Sequence, residues 1–117
     1  MSLVLLDTHV WVWLLNGSQR LGPKARKAIQ SSLAEEAVLV SAISAWEVAM
    51  LVDKGRLVLD RDAGEWVQAA LSVPGIRMEP LSPEIAVAST RLPGAIHSDP
   101  ADRMIAATAR HLGSTLI

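Results

Sequence analysis

Residues 3–15 read LVLLDTHVWVWLL. The first four are apolar without a break. A strand half exposed to water would alternate apolar and polar residues, so this run suits a strand buried on both faces. Asp7-Thr8 ends the run, and His9 to Leu15 continue as an apolar helical segment. A strand buried on both faces needs helices on both sides of its sheet.

The rest of the chain supplies them. Pro23 suits the first turn of a helix reaching about Leu33. Ala37 to Val40 is a second apolar run. Ser41 or Ser44 then caps a helix carrying Trp46, Val48, Ala49, Leu51 and Val52, which stops near Gly55. Asp60 to Leu71 reads as a further helix. Pro74-Gly75 is a turn, and Ile76 to Leu81 a third strand. Ser82-Pro83-Glu84 opens a helix to about Arg91. Asp99-Pro100 opens the last helix, which ends at Gly113, and Ser114 to Ile117 begin a fourth strand. Short apolar strands alternating with helices predict an α/β fold of three layers, α/β/α, around a central parallel sheet of about four strands.

The bulk numbers agree. The chain has 117 residues, which fits one domain, and half of it is hydrophobic, which is enough for a core. The formal net charge is −1, so binding to a polyanion must rely on a local patch or on metal ions. There is no cysteine, which excludes disulfides and thiolate zinc sites. The longest apolar run, Val10 to Leu15, is too short to span a bilayer, and no basic segment followed by a long apolar one marks a signal peptide. A cytoplasmic protein without membrane association is expected.

The acids carry the chemistry. Each has an ordinary structural explanation. Asp7 stands where a helix N-cap belongs. Ser44-Ala-Trp-Glu47 matches a capping box. Asp99 before Pro100 is an N-cap signature, and Asp102 then falls where the helix dipole favours an acid. Their joint pattern points elsewhere. In parallel sheets ligands bind beyond the carboxyl ends of the strands, and Asp7, Glu47, Asp99 and Asp102 all fall near those ends. Glu47 has no basic residue within six positions on either side, so it is not part of a solvated charged face. Two carboxylates about 4 Å apart repel by about 4 kcal/mol at an effective dielectric of 20. A converging set therefore persists only if protonated or if a cation sits in it. All-oxygen donors favour Mg²⁺ or Mn²⁺ over zinc.

Three segments, LLDTHVWVWLL, VSAISAWEVAML and SDPADRMIAATARHLG, together resemble the PIN domain, specifically the VapC-like toxins of bacterial toxin–antitoxin pairs. The resemblance spans essentially the whole chain. It implies a ribonuclease that hydrolyses RNA phosphodiesters with water activated by Mg²⁺ or Mn²⁺. Carried over by motif position, Asp7, Glu47 and Asp102 are the catalytic and metal-binding acids, and Asp99 is a supporting metal ligand or cap. Thr8 and Ser44 would orient a carboxylate or an ion-held water. PIN domains usually continue past the fourth strand with a further acid and a fifth strand. This chain ends at Ile117, where that segment would begin, so a single PIN domain over 1–117 without its last strand is expected. The resemblance also implies a cognate antitoxin and a homodimer as partners.

Arg103, Lys24 and Arg20 are the candidates for contact with RNA, with Arg26, Lys27, Lys54 and Arg56 nearby in sequence. His9 and His97 flank two of the acids. A general-acid role is the lesser reading for both, and His9 is expected to pack or hydrogen-bond within its helix. His111 suits a dipole-favoured surface position. Trp11 and Trp13, two residues apart, cannot share one helix face, so one enters the core and the other faces a groove or partner. Trp46 is expected in the core. Two other functions compete. One is a catalytically degenerate or truncated PIN-like module that acts by binding an antitoxin or partner. The other is a phospho-acceptor or aspartyl phosphotransferase domain, disfavoured because Asp7-Thr8-His9 lacks the second acid and no lysine follows Lys54.

Overall fold

The computed structural model describes residues 3–93 and 99–117. The elements run β1 (Val4–Leu6), α1 (Thr8–Leu15), α2 (Pro23–Ala34), β2 (Val38–Ser41), α3 (Ala42–Asp53), α4 (Ala63–Leu71), β3 (Ile76–Glu79), α5 (Pro83–Ala88), α6 (Pro100–Leu112) and β4 (Thr115–Leu116). The strands form one parallel sheet in the order β3-β2-β1-β4. The architecture expected from the strand and helix pattern is the one observed.

The unbroken apolar runs have a simple cause. Successive side chains of a strand point to opposite faces. Val4 and Leu6 of β1 and Val38 and Val40 of β2 join Trp11, Ile29, Val48 and Trp66 in one core. Leu5 and Leu39, between them, point the other way and pack with Ile105 and Ala109 of α6 in a second core. Both faces are covered, so Val4–Leu6 and Val38–Val40 are apolar throughout, and the one polar residue of β2, Ser41, comes at its carboxyl end. β3 is an edge strand, and there the pattern relaxes: Ile76 is buried while Arg77 and Met78 are exposed. Trp11 is fully buried and meets Trp66 edge-on, with ring centroids 5.0 Å apart. Trp13 packs half-buried at the rim of the same core.

Local signals set the helix ends. Ser82 accepts from the Ile85 amide, and Asp62 from the Glu65 amide. Asp62 rather than Asp60 therefore starts α4. Gly113 closes α6 in the left-handed conformation. Gly75, in the turn before β3, has φ +91°, and a Cβ there would lie 2.5 Å from the Leu33 carbonyl oxygen. Gly75→Ala is therefore expected to destabilise the fold by about 1–3 kcal/mol, read as a lower denaturation midpoint in urea.

Candidate metal centre

The parallel sheet brings the carboxyl ends of β1, β2 and β4 to one edge. A cavity of about 320 Å³ opens there, lined by Asp7, His9, Glu47, Asp99, Asp102, Ile105, Ala106 and Leu116. Four of these residues are carboxylates. Glu47, Asp99 and Asp102 each offer an oxygen within 4.8 Å of the others. Asp7 lines the same cavity from the end of β1, outside that closest trio.

Asp7 occupies the N-cap position of α1, but its side chain makes no capping bond. The ordinary explanation for this acid thus fails. Its carboxylate instead lies 3.9 Å from Nδ1 of His9. His9 is largely exposed and packs against Trp13 one turn on, with ring centroids 6.2 Å apart. It contacts its own helix as expected, and it also forms part of the cavity wall.

Glu47 is the unusual group. It is buried, and its Oε1 has no hydrogen-bond partner among the described residues. The capping-box expectation is corrected here. α3 starts at Ala42, two residues before Ser44, because Ser41 takes the N-cap position and its hydroxyl accepts from the Ile43 amide. Glu47 therefore sits in the second turn, too far along to cap. Ser44 is fully buried one turn before it and accepts from the Thr8 hydroxyl at 2.9 Å. Thr8 and Ser44 thus tie the start of α1 to α3 directly beside Glu47. Burial pushes the Glu47 carboxyl above its ordinary range. The nearby Thr8 hydroxyl opposes that shift, and the charges of Asp102, Asp99 and Asp7 add to it.

Asp99 is the N-cap of α6. Its Oδ1 accepts from the amides of Ala101 and Asp102 at 2.8 and 3.3 Å. Both bonds use one oxygen, so capping and ligation by the same carboxylate are compatible. The sequence places Asp99 below the other acids, whereas the structure puts it in the closest trio and Asp7 at its side. The Asp-Pro step hides this, because capping alone accounts for it. Asp102, in the first turn of α6, is half-buried.

The buried, unpartnered Glu47 oxygen and the all-oxygen donor set fit a hard divalent cation. Of the RNA-contact candidates, Arg103 is exposed on α6 next to Asp102, while Arg20 and Lys24 are exposed around the start of α2 and do not line the cavity. His97 lies outside the described residues. The core expectation for Trp46 is wrong. It is 55 % exposed, because α3 buries the Ser44–Val48 side and turns Trp46 and Ala49 outward.

A parallel sheet with clustered acids at its carboxyl edge defines a class of nuclease-like α/β domains. The family model for the PIN domain matches residues 4–117, and the chain belongs to that family. Ribonuclease VapC22 of Mycobacterium tuberculosis (strain ATCC 25618 / H37Rv) is 35 % identical over 117 residues, which is 100 % of this chain and 86 % of that protein. A solved chain described as "Structure of FitAB bound to IR36 DNA fragment" superposes with a TM-score of 0.63 at 21 % identity, covering 97 % of this chain and 82 % of that one. That likeness shows the fold. The family assignment made from the three motifs holds.

Proposed function

We propose that this protein is the toxin of a toxin–antitoxin pair and hydrolyses RNA phosphodiesters at the carboxylate cavity, with Mg²⁺ or Mn²⁺ as cofactor. The observation that carries this reading is the buried Glu47, with its unpartnered Oε1, grouped with Asp99 and Asp102. The similarity to Ribonuclease VapC22 supports RNA as the substrate.

Asp7, Glu47 and Asp102 are the catalytic acids, and with Asp99 they hold the cation. When bound, the ion supplies Lewis acidity toward a phosphate oxygen and lowers the pKa of water. The residues of this chain do the rest. The Thr8–Ser44 hydrogen bond fixes the α1–α3 junction and with it the position of Glu47. Asp99 orders the first turn of α6 and so sets where Asp102 stands. Ile105 and Leu116 give the cavity an apolar side. Arg103, on the exposed face beside Asp102, is placed to meet a phosphate. Lys24 and Arg20 would act farther along the strand.

A cognate antitoxin and a second copy of the chain are the protein partners we infer. Trp46, Ala49 and half-buried Met50 form an uncharged strip on α3, which suits a protein contact. No helix among the described residues is long and apolar enough to cross a membrane, in keeping with the cytoplasmic location we infer.

The test is cleavage of a mixed RNA pool with Mg²⁺, Mn²⁺ or chelator. Cleavage that needs the divalent ion is expected. Intact RNA under all three conditions would sink the nuclease reading in favour of a module that only binds a partner.

A further inference from the structure

The carboxylate cavity poses a problem for its own substrate. Its wall holds four acids, and among the described residues that line it the one basic group is the His9 imidazole. One divalent ion offsets only part of the charge of four carboxylates, so an RNA backbone gains little net attraction there without cationic side chains outside the cavity. With a net charge of −1, the molecule as a whole offers no attraction.

A second cavity, of about 380 Å³, lies between α5 and α6. Arg91, Arg110 and His111 line it together with Glu84, and Val87 and Ala107 contribute apolar wall. Arg110 and His111 occupy the last turn of α6, where the helix dipole favours positive charge. The dipole does not account for Arg91. It comes from the turn after α5, yet it lines the same cavity. Glu84 sits in the first turn of α5, where an acid is favoured for the same reason. Among the described residues, the ion pairs are His9–Asp7 and Arg61–Asp60, and neither draws on this basic group.

α6 joins the two cavities. Asp99, Asp102 and Ala106 face the acidic one, and Ala107, Arg110 and His111 the basic one. Arg103 and Arg110 are seven residues apart and share one stripe of the helix. Asp102 and Arg110 are separated by about 12 Å of helix axis at about 1.5 Å per residue. That corresponds to about three or four stacked nucleotides at about 3.4 Å each.

We propose that the α5–α6 groove is a second RNA-backbone site, in which Arg91, Arg110 and His111 hold phosphates a few nucleotides from the bond that is cut. Half-exposed Val87 gives a sugar edge an apolar surface. The assignment rests on the nuclease reading and adds to it where the substrate gains affinity. An acidic protein segment is the rival occupant. Continuity with the acidic cavity through α6 favours RNA.

The experiment compares the full chain with its Arg91→Gln/Arg110→Gln variant. Binding of a labelled single-stranded RNA of about twelve nucleotides is followed by fluorescence anisotropy in chelator, across a salt series. The variant should bind roughly tenfold or more weakly. Its log affinity against log salt should be shallower by about 1.4, at about 0.7 for each lost phosphate contact. Cleavage of a dinucleotide, too short to reach the groove, should not change. An Arg91→Lys/Arg110→Lys variant should keep the wild-type salt slope, which separates lost charge from lost folding. Equal affinity and slope in wild type and the Gln variant would overturn the groove while wild-type cleavage upheld the nuclease reading. Wild-type protein that neither bound nor cut RNA would overturn both. Unchanged RNA binding with loss of polyglutamate binding would assign the groove to an acidic protein instead.

Discussion

Asp102→Asn is expected to abolish metal-dependent RNA cleavage and leave the fold in place. The change removes one charge and almost no volume. Asp102 supplies one of the three oxygens that converge within 4.8 Å, so the variant loses a cation ligand at the centre of the site. Transition-state stabilisation of several kcal/mol depends on that cation, which corresponds to a rate loss of about a thousandfold or more. The structural cost is small. Asp102 sits in the first turn of α6, where an acid gains about 0.3–1 kcal/mol from the helix dipole. Cleavage rate and melting temperature should therefore separate cleanly. Asp7→Asn should behave alike, with even less effect on stability, because Asp7 makes no capping bond. Cleavage within a factor of a few of wild type in Asp102→Asn would mean that the remaining acids suffice. Asp102 would then be only a helix-terminal charge.

The fold was legible because its two cores demand it. Leu5 and Leu39 face one core, and Val4, Leu6, Val38 and Val40 the other, so uninterrupted apolar runs had to appear in the sequence. The acids were legible because the order of strands and helices brings their segments to the carboxyl edge of a parallel sheet, where ligands bind. Three features were not legible. The start of α3 depends on whether Ser41 or Ser44 caps it, and both are good caps. Only the three-dimensional end of β2 selects Ser41, which moves Glu47 out of capping range. Trp46 follows from the same register. An almost wholly apolar helix such as α3 carries no periodic signal to say which side faces solvent, so an exposed tryptophan looks like a core residue. The α5–α6 groove was hidden for a different reason. Arg91 and Arg110 are far apart in sequence and meet only through helix packing.

Glu47→Gln should lose activity and gain stability when no metal is present. Activity falls for the reason given for Asp102. Stability rises because the wild-type carboxyl is buried, has an unpartnered oxygen and faces the charges of Asp102, Asp99 and Asp7. An amide removes the charge, and its N–H groups can donate to the neighbouring carboxylates. Relief of a poorly satisfied buried group is worth about 1–3 kcal/mol. The pH dependence gives a second readout. The folded state holds the Glu47 proton more tightly than the unfolded chain does, so across the range above the ordinary value of 4.5 it binds more protons. Metal-free wild type should therefore lose stability as pH rises from that value through the raised one. Below both values the penalty vanishes. The Gln variant should not show this component of the slope. At neutral pH a divalent cation should raise the melting temperature of wild type and leave the variant nearly unmoved. At a pH low enough to protonate the cluster, the cation should help neither. A Gln variant less stable than metal-free wild type at neutral pH would show that the carboxylates are not in net repulsion, and that the cavity has a structural role rather than a cation to hold.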